Sequence, residues 1–180
     1  MLSVTNTEEI LFTPELITKF NNIVNRYPEG KQKSALLPVL HLVQAEYGWI
    51  SVPAMDKVAA YLEILPIEVY EVASFYSMYF LRPQGKYVLE ICRTASCCLV
   101  GAEKIMKYIE QKLDVKEGDV TPDGLFSWRG VECLAACGFA PVLQIGPEYT
   151  FYENLTEAKV DELIDGLKLK TAEGPVDIIS

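Results

Sequence analysis

The chain has 180 residues, of which 50% are hydrophobic, and it carries a formal net charge of −9 at pH 7. This length suits one domain or two small ones, and the share of apolar residues is enough for a buried core. The acidic balance argues against binding to nucleic acid or to anionic lipid, because both select for basic surfaces.

Nothing in the sequence indicates export or membrane insertion. Its first residues, MLSVTNTEEILFTPELITKF, have two early glutamates and no basic stretch before an apolar run, unlike a signal peptide. The sequence contains no uninterrupted run of about 18 apolar residues, so we predict no membrane span. We expect a cytoplasmic protein, in which an odd number of cysteines, five, disfavours a disulfide framework and favours metal or redox chemistry.

The first half of the chain is predicted to be a small helical bundle over residues 10–80. Its first helix follows Thr13, a candidate cap, and Pro14; its second spans 33–47 and ends at Gly48. Two shorter helical segments follow, at 52–65 and from Pro66 to 80. The single histidine, His41, has no partner histidine or nearby cysteine, so we interpret it as a packing or hydrogen-bonding residue.

The pattern becomes mixed after RPQGK, a linker at 82–86. Strands are predicted at KYVLEIC, SWRGVEC and PVLQIG, with YTFYENL as a further candidate. Helices are predicted at LVGAEKIMKYIEQKL and at TEAKVDELIDGLKL, which Thr156 can cap. We therefore expect an α+β protein, with an N-terminal helical bundle in residues 1–82 followed by an α/β domain in residues 83–180.

Four of the five cysteines form two pairs, Cys92 with Cys97 and Cys133 with Cys137, each near the end of a predicted strand. If these strand ends meet at one edge of a sheet, four thiolates can converge, which suits a [2Fe–2S] cluster or a structural zinc ion. The wide C-x4-C spacing favours iron–sulfur, because zinc sites more often use tight turns. Zinc and four unrelated structural thiols remain open at this point.

Other cysteine chemistry is disfavoured. The chain has no C-x-x-C, which a thioredoxin-type dithiol needs, and the only histidine lies in the other predicted domain, which disfavours a cysteine hydrolase. We expect a helix that begins near Leu99 to direct its free N–H groups toward Cys97. The fifth cysteine, Cys98, is interpreted as a small buried residue. Small residues should let backbone amides approach the sulfurs: Ala95, Ser96, Ala135, Ala136 and Gly138.

Three segments, CRTASCCLVGAEKI, TPDGLF and VECLAACGFAPVLQI, closely resemble the family of the thioredoxin-like [2Fe–2S] subunit of NADH:quinone oxidoreductase, which is the E subunit in bacteria. The helical segments YPEGKQKSALLPVLHLVQAEYGWI and EVYEVASFYSMY agree with it. The resemblance implies a thioredoxin-like domain whose cluster is bound by Cys92, Cys97, Cys133 and Cys137, without Cys98.

Two positions depart from the family pattern, which commonly has Gly at the position of Ala135 and often Pro at that of Ser96. A methyl group at residue 135 is expected to shift the local backbone or to exclude a hydrogen bond to sulfur, while ligation survives.

The chain has neither a G-x-G-x-x-G after a strand nor a G-x-x-x-x-G-K-[ST], so we predict no nucleotide site. The resemblance instead implies a flavin-bearing NADH-binding partner subunit, which would hold FMN and NADH, and further iron–sulfur subunits. The implied function is single-electron exchange with that flavin, with no catalysis by this chain alone. Alternatives are the equivalent subunit of an NAD-dependent hydrogenase or formate dehydrogenase, a free-standing ferredoxin shuttle, and a zinc-stapled interaction module.

Such a complex implies a peripheral position on the cytoplasmic face of the inner membrane. We also expect the cluster edge to face the flavin and the helical bundle to contact the partner. The bundle carries more aromatic residues than a small core needs, so part of this set is expected at the interface: Trp49, Phe75, Tyr76, Tyr79 and Phe80.

Overall fold

The computed structural model describes residues 11–172. The chain divides into two compact units, Met1–Pro83 and Gln84–Ser180. No helix within the described residues is long and apolar enough to cross a membrane. The first ten residues, on which part of the signal-peptide argument rests, lie outside the described range.

The first unit is helical. Its helices are α1 (Pro14–Val24), α2 (Leu36–Tyr47), α3 (Val52–Leu62) and α4 (Pro66–Phe75), with a 3-10 turn at Gln32–Ala35. The predicted cap of α1 is confirmed, because the Thr13 hydroxyl accepts a hydrogen bond from the Leu16 N–H at 3.2 Å. Gly48 ends α2 with a φ of 76°, a conformation that glycine adopts without steric cost.

The core of this unit is formed by one face of each helix. Its fully buried members include Phe20 of α1, Leu40 and Val43 of α2, Val58 of α3 and Val69 of α4. His41 lies on the exposed side of α2, with its ring centroid 5.2 Å from that of Tyr79.

Helix α4 is shorter than predicted. It ends at Phe75, and Tyr76 leaves the helical region with a ψ of 111°. The buried side chain of Gln44 then takes the place of helical hydrogen bonds, since its amide donates to the Met78 carbonyl at 2.9 Å and accepts from the Phe80 N–H at 2.7 Å. The apolar pattern of residues 66–80 did not predict that a side chain from another helix would bond the backbone where the last turn of α4 was expected.

The second unit combines a four-stranded sheet with helices. Its elements are β1 (Tyr87–Cys92), α5 (Ala95–Leu99), α6 (Ala102–Leu113), β2 (Phe126–Val131), β3 (Leu143–Gly146), β4 (Thr150–Tyr152) and α7 (Glu157–Ala172). The strand order is β2-β1-β3-β4; β1 is parallel to β2 and antiparallel to β3, and β3 is antiparallel to β4. All four predicted strands are therefore present.

Alternate residues of the strands pack against the two long helices. Leu89 and Ile91 of the central strand belong to the same buried cluster as Ile109 of α6 and Ile164 of α7. Because side chains alternate along a strand, Glu90 and Cys92 share the opposite face of β1. The cysteine at the end of β1 thus lies on the face away from the main core.

Candidate metal centre

Both cysteine loops begin at the same end of the sheet. In the parallel pair of β1 and β2, Cys92 lies opposite Val131, the last residue of β2. Cys133 follows two residues later. The strand ends are joined directly, since the Arg93 N–H donates to the Val131 carbonyl at 2.9 Å. The parallel pairing therefore brings two segments together that are about forty residues apart in sequence.

The first loop holds two buried cysteines. Cys92 ends β1 and Cys97 lies within α5, and each is 1% exposed. The expected helix start near Leu99 is wrong: Leu99 ends the short helix α5, and Gly101, with a φ of 105°, separates it from α6. Cys97 is therefore inside a five-residue helix rather than in front of a long one.

The second loop holds two exposed cysteines, Cys133 and Cys137, whose Sγ atoms are 3.9 Å apart. Ala135, between them, has a φ of 59° and donates its N–H to Sγ of Cys133 at 3.3 Å. A left-handed φ favours glycine, which accounts for the family preference at this position. The expected loss of a hydrogen bond to sulfur does not occur, because the alanine adopts the conformation that glycine would.

The two loops pack on one another through a small apolar cluster. Its buried members are Cys92, Cys97, Ala102 and Val142, and Leu134 and Ala136 of the second loop lie against them. Burial raises the pKa of the Cys92 thiol, but hydrogen bonds from the Thr94 hydroxyl and from backbone N–H groups, including that of Leu134, outweigh this and lower it overall. The second loop thus contributes directly to the surroundings of Cys92.

The surroundings of Cys97 also involve both loops. Its pKa is raised, first by burial and further by the neighbouring sulfurs of Cys92 and Cys137, against a backbone hydrogen bond from Val142. The neighbouring sulfurs therefore disfavour the thiolate form of Cys97 in the metal-free chain. A cationic centre between them would relieve this repulsion.

The donor set suits an iron–sulfur cluster. A [2Fe–2S] cluster takes two cysteine sulfurs at each iron, and this chain supplies two pairs, one from each loop. Within residues 11–172, no three His, Cys, Asp or Glu side chains are arranged to hold one metal ion. The number of cysteines in the two loops, two in each, is the number that the two irons of one cluster need.

Cys98 is placed differently from the other cysteines. It is half-buried rather than buried as predicted, and its Sγ donates to the carbonyl of Arg93 at 3.2 Å. The Cys98 thiol is therefore engaged with the backbone of the first loop.

An ion pair joins Glu90 on β1, the strand that leads to Cys92, to Arg129 on β2, and it was not predicted from the sequence. Glu90 is 3% exposed; its carboxylate accepts from Nε of Arg129 at 2.9 Å and from the amide of Gln144. Burial and the Glu90 charge raise the pKa of nearby Tyr149. The sequence does contain an indication of this ion pair, because Glu90 and Arg129 lie within two predicted strands, KYVLEIC and SWRGVEC, and carry opposite charges.

A groove of about 600 Å³ lies elsewhere in this unit, between β4 and α7. Its lining includes Phe151, Leu163 and Lys170 and none of the cysteines. It is therefore separate from the candidate metal centre.

The chain is similar to known proteins over most of its length. The family model described as thioredoxin-like [2Fe-2S] ferredoxin matches residues 20–168. The chain belongs to this family. It is 46% identical over 145 residues to the E subunit of NADH-quinone oxidoreductase from Rickettsia felis, covering 80% of this chain and 86% of the relative. It is 43% identical over 143 residues to NADH-quinone oxidoreductase subunit 2 of Thermus thermophilus, covering 79% and 78%.

A solved structure shares the fold. A crystal structure of NAD+-reducing [NiFe]-hydrogenase in the air-oxidized state matches with a TM-score of 0.65 and 21% identity. The match covers 81% of this chain and 24% of the hydrogenase chain. The predicted fold class, a helical N-terminal region followed by a thioredoxin-like [2Fe–2S] domain, is confirmed by the family match and by the order of helices and strands. The predicted family is confirmed by the family match and the relatives. The homologues are subunits of NADH-quinone oxidoreductase, in which the complex carries out catalysis.

Proposed function

We propose that the chain is the electron-transfer subunit of the NADH-oxidising part of an NADH-quinone oxidoreductase, with one [2Fe–2S] cluster bound by Cys92, Cys97, Cys133 and Cys137. The observation that carries this proposal is the meeting of the two cysteine loops at one end of the parallel pair β1 and β2. Family membership supports the type of cluster.

Two of the four proposed ligands are buried, and the other two are exposed to solvent. Cys92 and Cys97 are 1% exposed and belong to an apolar cluster, whereas Cys133 and Cys137 are exposed. A bound [2Fe–2S] cluster supplies a one-electron carrier. The exposed loop offers the shorter route from the sulfurs to another protein. Electrons therefore enter and leave past Cys133 and Cys137.

Exposed apolar side chains adjoin the ligand cysteines in sequence. Leu99 is 87% exposed, and Val100 and Phe139 are also exposed. Exposed groups of large apolar residues mark protein interaction sites. We assign these side chains to contact with the flavin-bearing, NADH-binding partner subunit, because a one-electron carrier must lie close to the flavin that it serves.

The N-terminal unit has a second exposed aromatic pair. Phe75 and Tyr76 are exposed and pack edge to face with centroids 5.1 Å apart, while Tyr79 is buried and Trp49 and Phe80 are half-buried. Of the five aromatic residues expected at an interface, Phe75 and Tyr76 are the two whose rings are accessible enough to serve it. We propose that they contact the partner complex.

The relatives support the proposed parent complex. Those compared are 41–46% identical and carry NADH-quinone oxidoreductase names, whereas the hydrogenase likeness at 21% identity supports the fold alone. We propose that the chain works with the flavin-bearing subunit and further iron–sulfur subunits, held peripherally at the cytoplasmic face of the inner membrane.

The test is the visible spectrum and metal content of the purified full chain. We expect a reddish-brown protein with about two irons per chain, whose colour bleaches with dithionite. A colourless protein with equimolar zinc would instead establish a zinc-stapled interaction module. Co-expression with the flavin-bearing subunit should give a stable complex, and failure to form it would favour a free-standing shuttle.

A further inference from the structure

Thr94 occupies a helix-capping position without capping the helix. It directly precedes α5 with extended backbone, at φ −92° and ψ 171°, and its side chain makes no capping hydrogen bond. A threonine at this position usually accepts from an N–H of the first helical turn. Its hydroxyl instead lies 3.2 Å from Sγ of Cys92.

The direction of this hydrogen bond follows from the state of the sulfur. A cysteine bound to a metal is a thiolate and has no proton to donate. The hydroxyl hydrogen can rotate to suit its neighbour, so in the metal-bound state Thr94 is the donor and Cys92 the acceptor. The backbone N–H groups of Thr94 and Leu134 reach the same sulfur.

Cys92 differs in this respect from the other proposed ligands. Cys133 receives a backbone N–H, from Ala135, and Cys97 one from Val142. Within residues 11–172, Thr94 is the residue whose side-chain hydroxyl hydrogen-bonds to the sulfur of a proposed ligand. The other hydrogen bonds to these sulfurs that are described above come from backbone N–H groups. A substitution at Thr94 can therefore remove one hydrogen bond to sulfur and leave the backbone donors in place.

We propose that Thr94 is a positioning residue that raises the reduction potential of the cluster by donating a hydrogen bond to Sγ of Cys92. This inference rests on the proposed function, in which Cys92 is a cluster ligand. Reduction adds negative charge that is shared by the ligand sulfurs, so a donor at sulfur stabilises the reduced state more than the oxidised one.

The test is a redox titration, followed by electron paramagnetic resonance, of the full chain carrying its cluster. Thr94→Val keeps the shape of the side chain and removes the hydrogen-bond donor. We expect it to lower the equilibrium constant for reduction of the cluster by up to about tenfold, which lowers the reduction potential by ~59 mV for a one-electron couple. Thr94→Ser keeps a hydroxyl and should restore most of the potential. Thr18→Val is the matched control, because it makes the same replacement in α1, where the Thr18 hydroxyl donates to the Pro14 carbonyl, and it should leave the potential unchanged.

The outcomes separate this inference from the proposed function. An intact cluster whose potential is the same in the Val and Ser variants and in the unmodified chain would overturn the role of Thr94 alone. A full chain that binds no cluster would overturn both. If the Val variant does not retain its cluster, Thr94→Ala removes the same donor with less bulk, and an unchanged potential in that variant would also reject the inference.

Discussion

The backbone N–H of Ala135 donates to Sγ of Cys133 at 3.3 Å, and Ala135 reaches this geometry with a φ of 59°. In this region an L-residue has a steric cost of about 1–2 kcal/mol, which glycine avoids. The loop between Cys133 and Cys137 therefore combines a hydrogen bond to sulfur with local backbone strain.

Replacing Ala135 with glycine should relieve this strain. We expect Ala135→Gly to raise the free energy of unfolding by about 1 kcal/mol, measured by urea denaturation of the metal-free chain. Ala136→Gly is the matched control, because Ala136 has a negative φ of −115° and gains nothing from glycine. A control that stabilises as much as the Ala135 variant would show that the strain is not at Ala135.

The ion pair between the buried Glu90 and the half-buried Arg129 gives a second prediction. Arg129→Met leaves the Glu90 carboxylate buried without its cation, which should lower the free energy of unfolding by about 3 kcal/mol. Adding Glu90→Gln removes the charge and keeps an oxygen for the Gln144 amide, so the double variant should recover most of the loss. Equal stability of the single and double variants in urea denaturation would contradict this account.

Gly85 is required by a close approach of two backbone segments. A Cβ at this position would lie 2.3 Å from the Phe126 carbonyl carbon and 2.6 Å from the Ser127 nitrogen. Because these are main-chain atoms, Gly85→Ala must displace β2. We expect it to lower the free energy of unfolding by about 2 kcal/mol.

The comparison for Gly85 is Gly166→Ala, which has open space around the added methyl group and lies within α7. It should stabilise the chain by about 0.5–1 kcal/mol through helix propensity. Urea denaturation of both variants checks the contrast, and similar midpoints for the two would contradict the packing argument.

Asp161 links α7 to α6 and gives a pH dependence. Its carboxylate accepts from Lys112 at 2.8 Å and from the Tyr108 hydroxyl at 2.7 Å, which lowers its pKa. A carboxyl with a lowered folded-state pKa contributes stability above its unfolded pKa, about 3.9, and loses it as pH falls through the folded value.

We therefore expect Asp161→Asn to be less stable than the parent at neutral pH and the difference to vanish in acid. The pKa of Lys112 is raised by the same contact, so its contribution is complete below its unfolded pKa and is lost as pH rises through the folded value. Denaturation midpoints between about pH 2 and 7 measure the acid side. A difference that grows as pH falls would contradict this assignment.

Much of the fold could be predicted because periodicity and caps act locally. The alternation in KYVLEIC predicted β1, and Thr13 and Gly48 predicted the ends of two helices. The end of α4 could not be found in this way, because it depends on Gln44, which is distant in sequence and bonds the backbone after the helix.

The candidate site was predictable to the level of its cysteine pairs and no further. Spacing and strand ends indicated which sulfurs could meet, but the break at Gly101 is hidden within one amphipathic pattern. The Thr94 side chain can either cap α5 or hydrogen-bond to Sγ of Cys92, and the sequence does not indicate which rotamer it adopts. The pairing of Glu90 with Arg129 required the parallel register of β1 and β2.

Iron content after single cysteine replacements tests the central claim most directly. We predict that alanine in place of Cys92, Cys97, Cys133 or Cys137 removes most of the iron and visible absorption from the purified full chain, because each sulfur holds one coordination position. Cys98→Ala, next to a proposed ligand but bonded to the Arg93 carbonyl, should keep both. Full iron content in any of the four variants, or its loss in Cys98→Ala alone, would contradict the account.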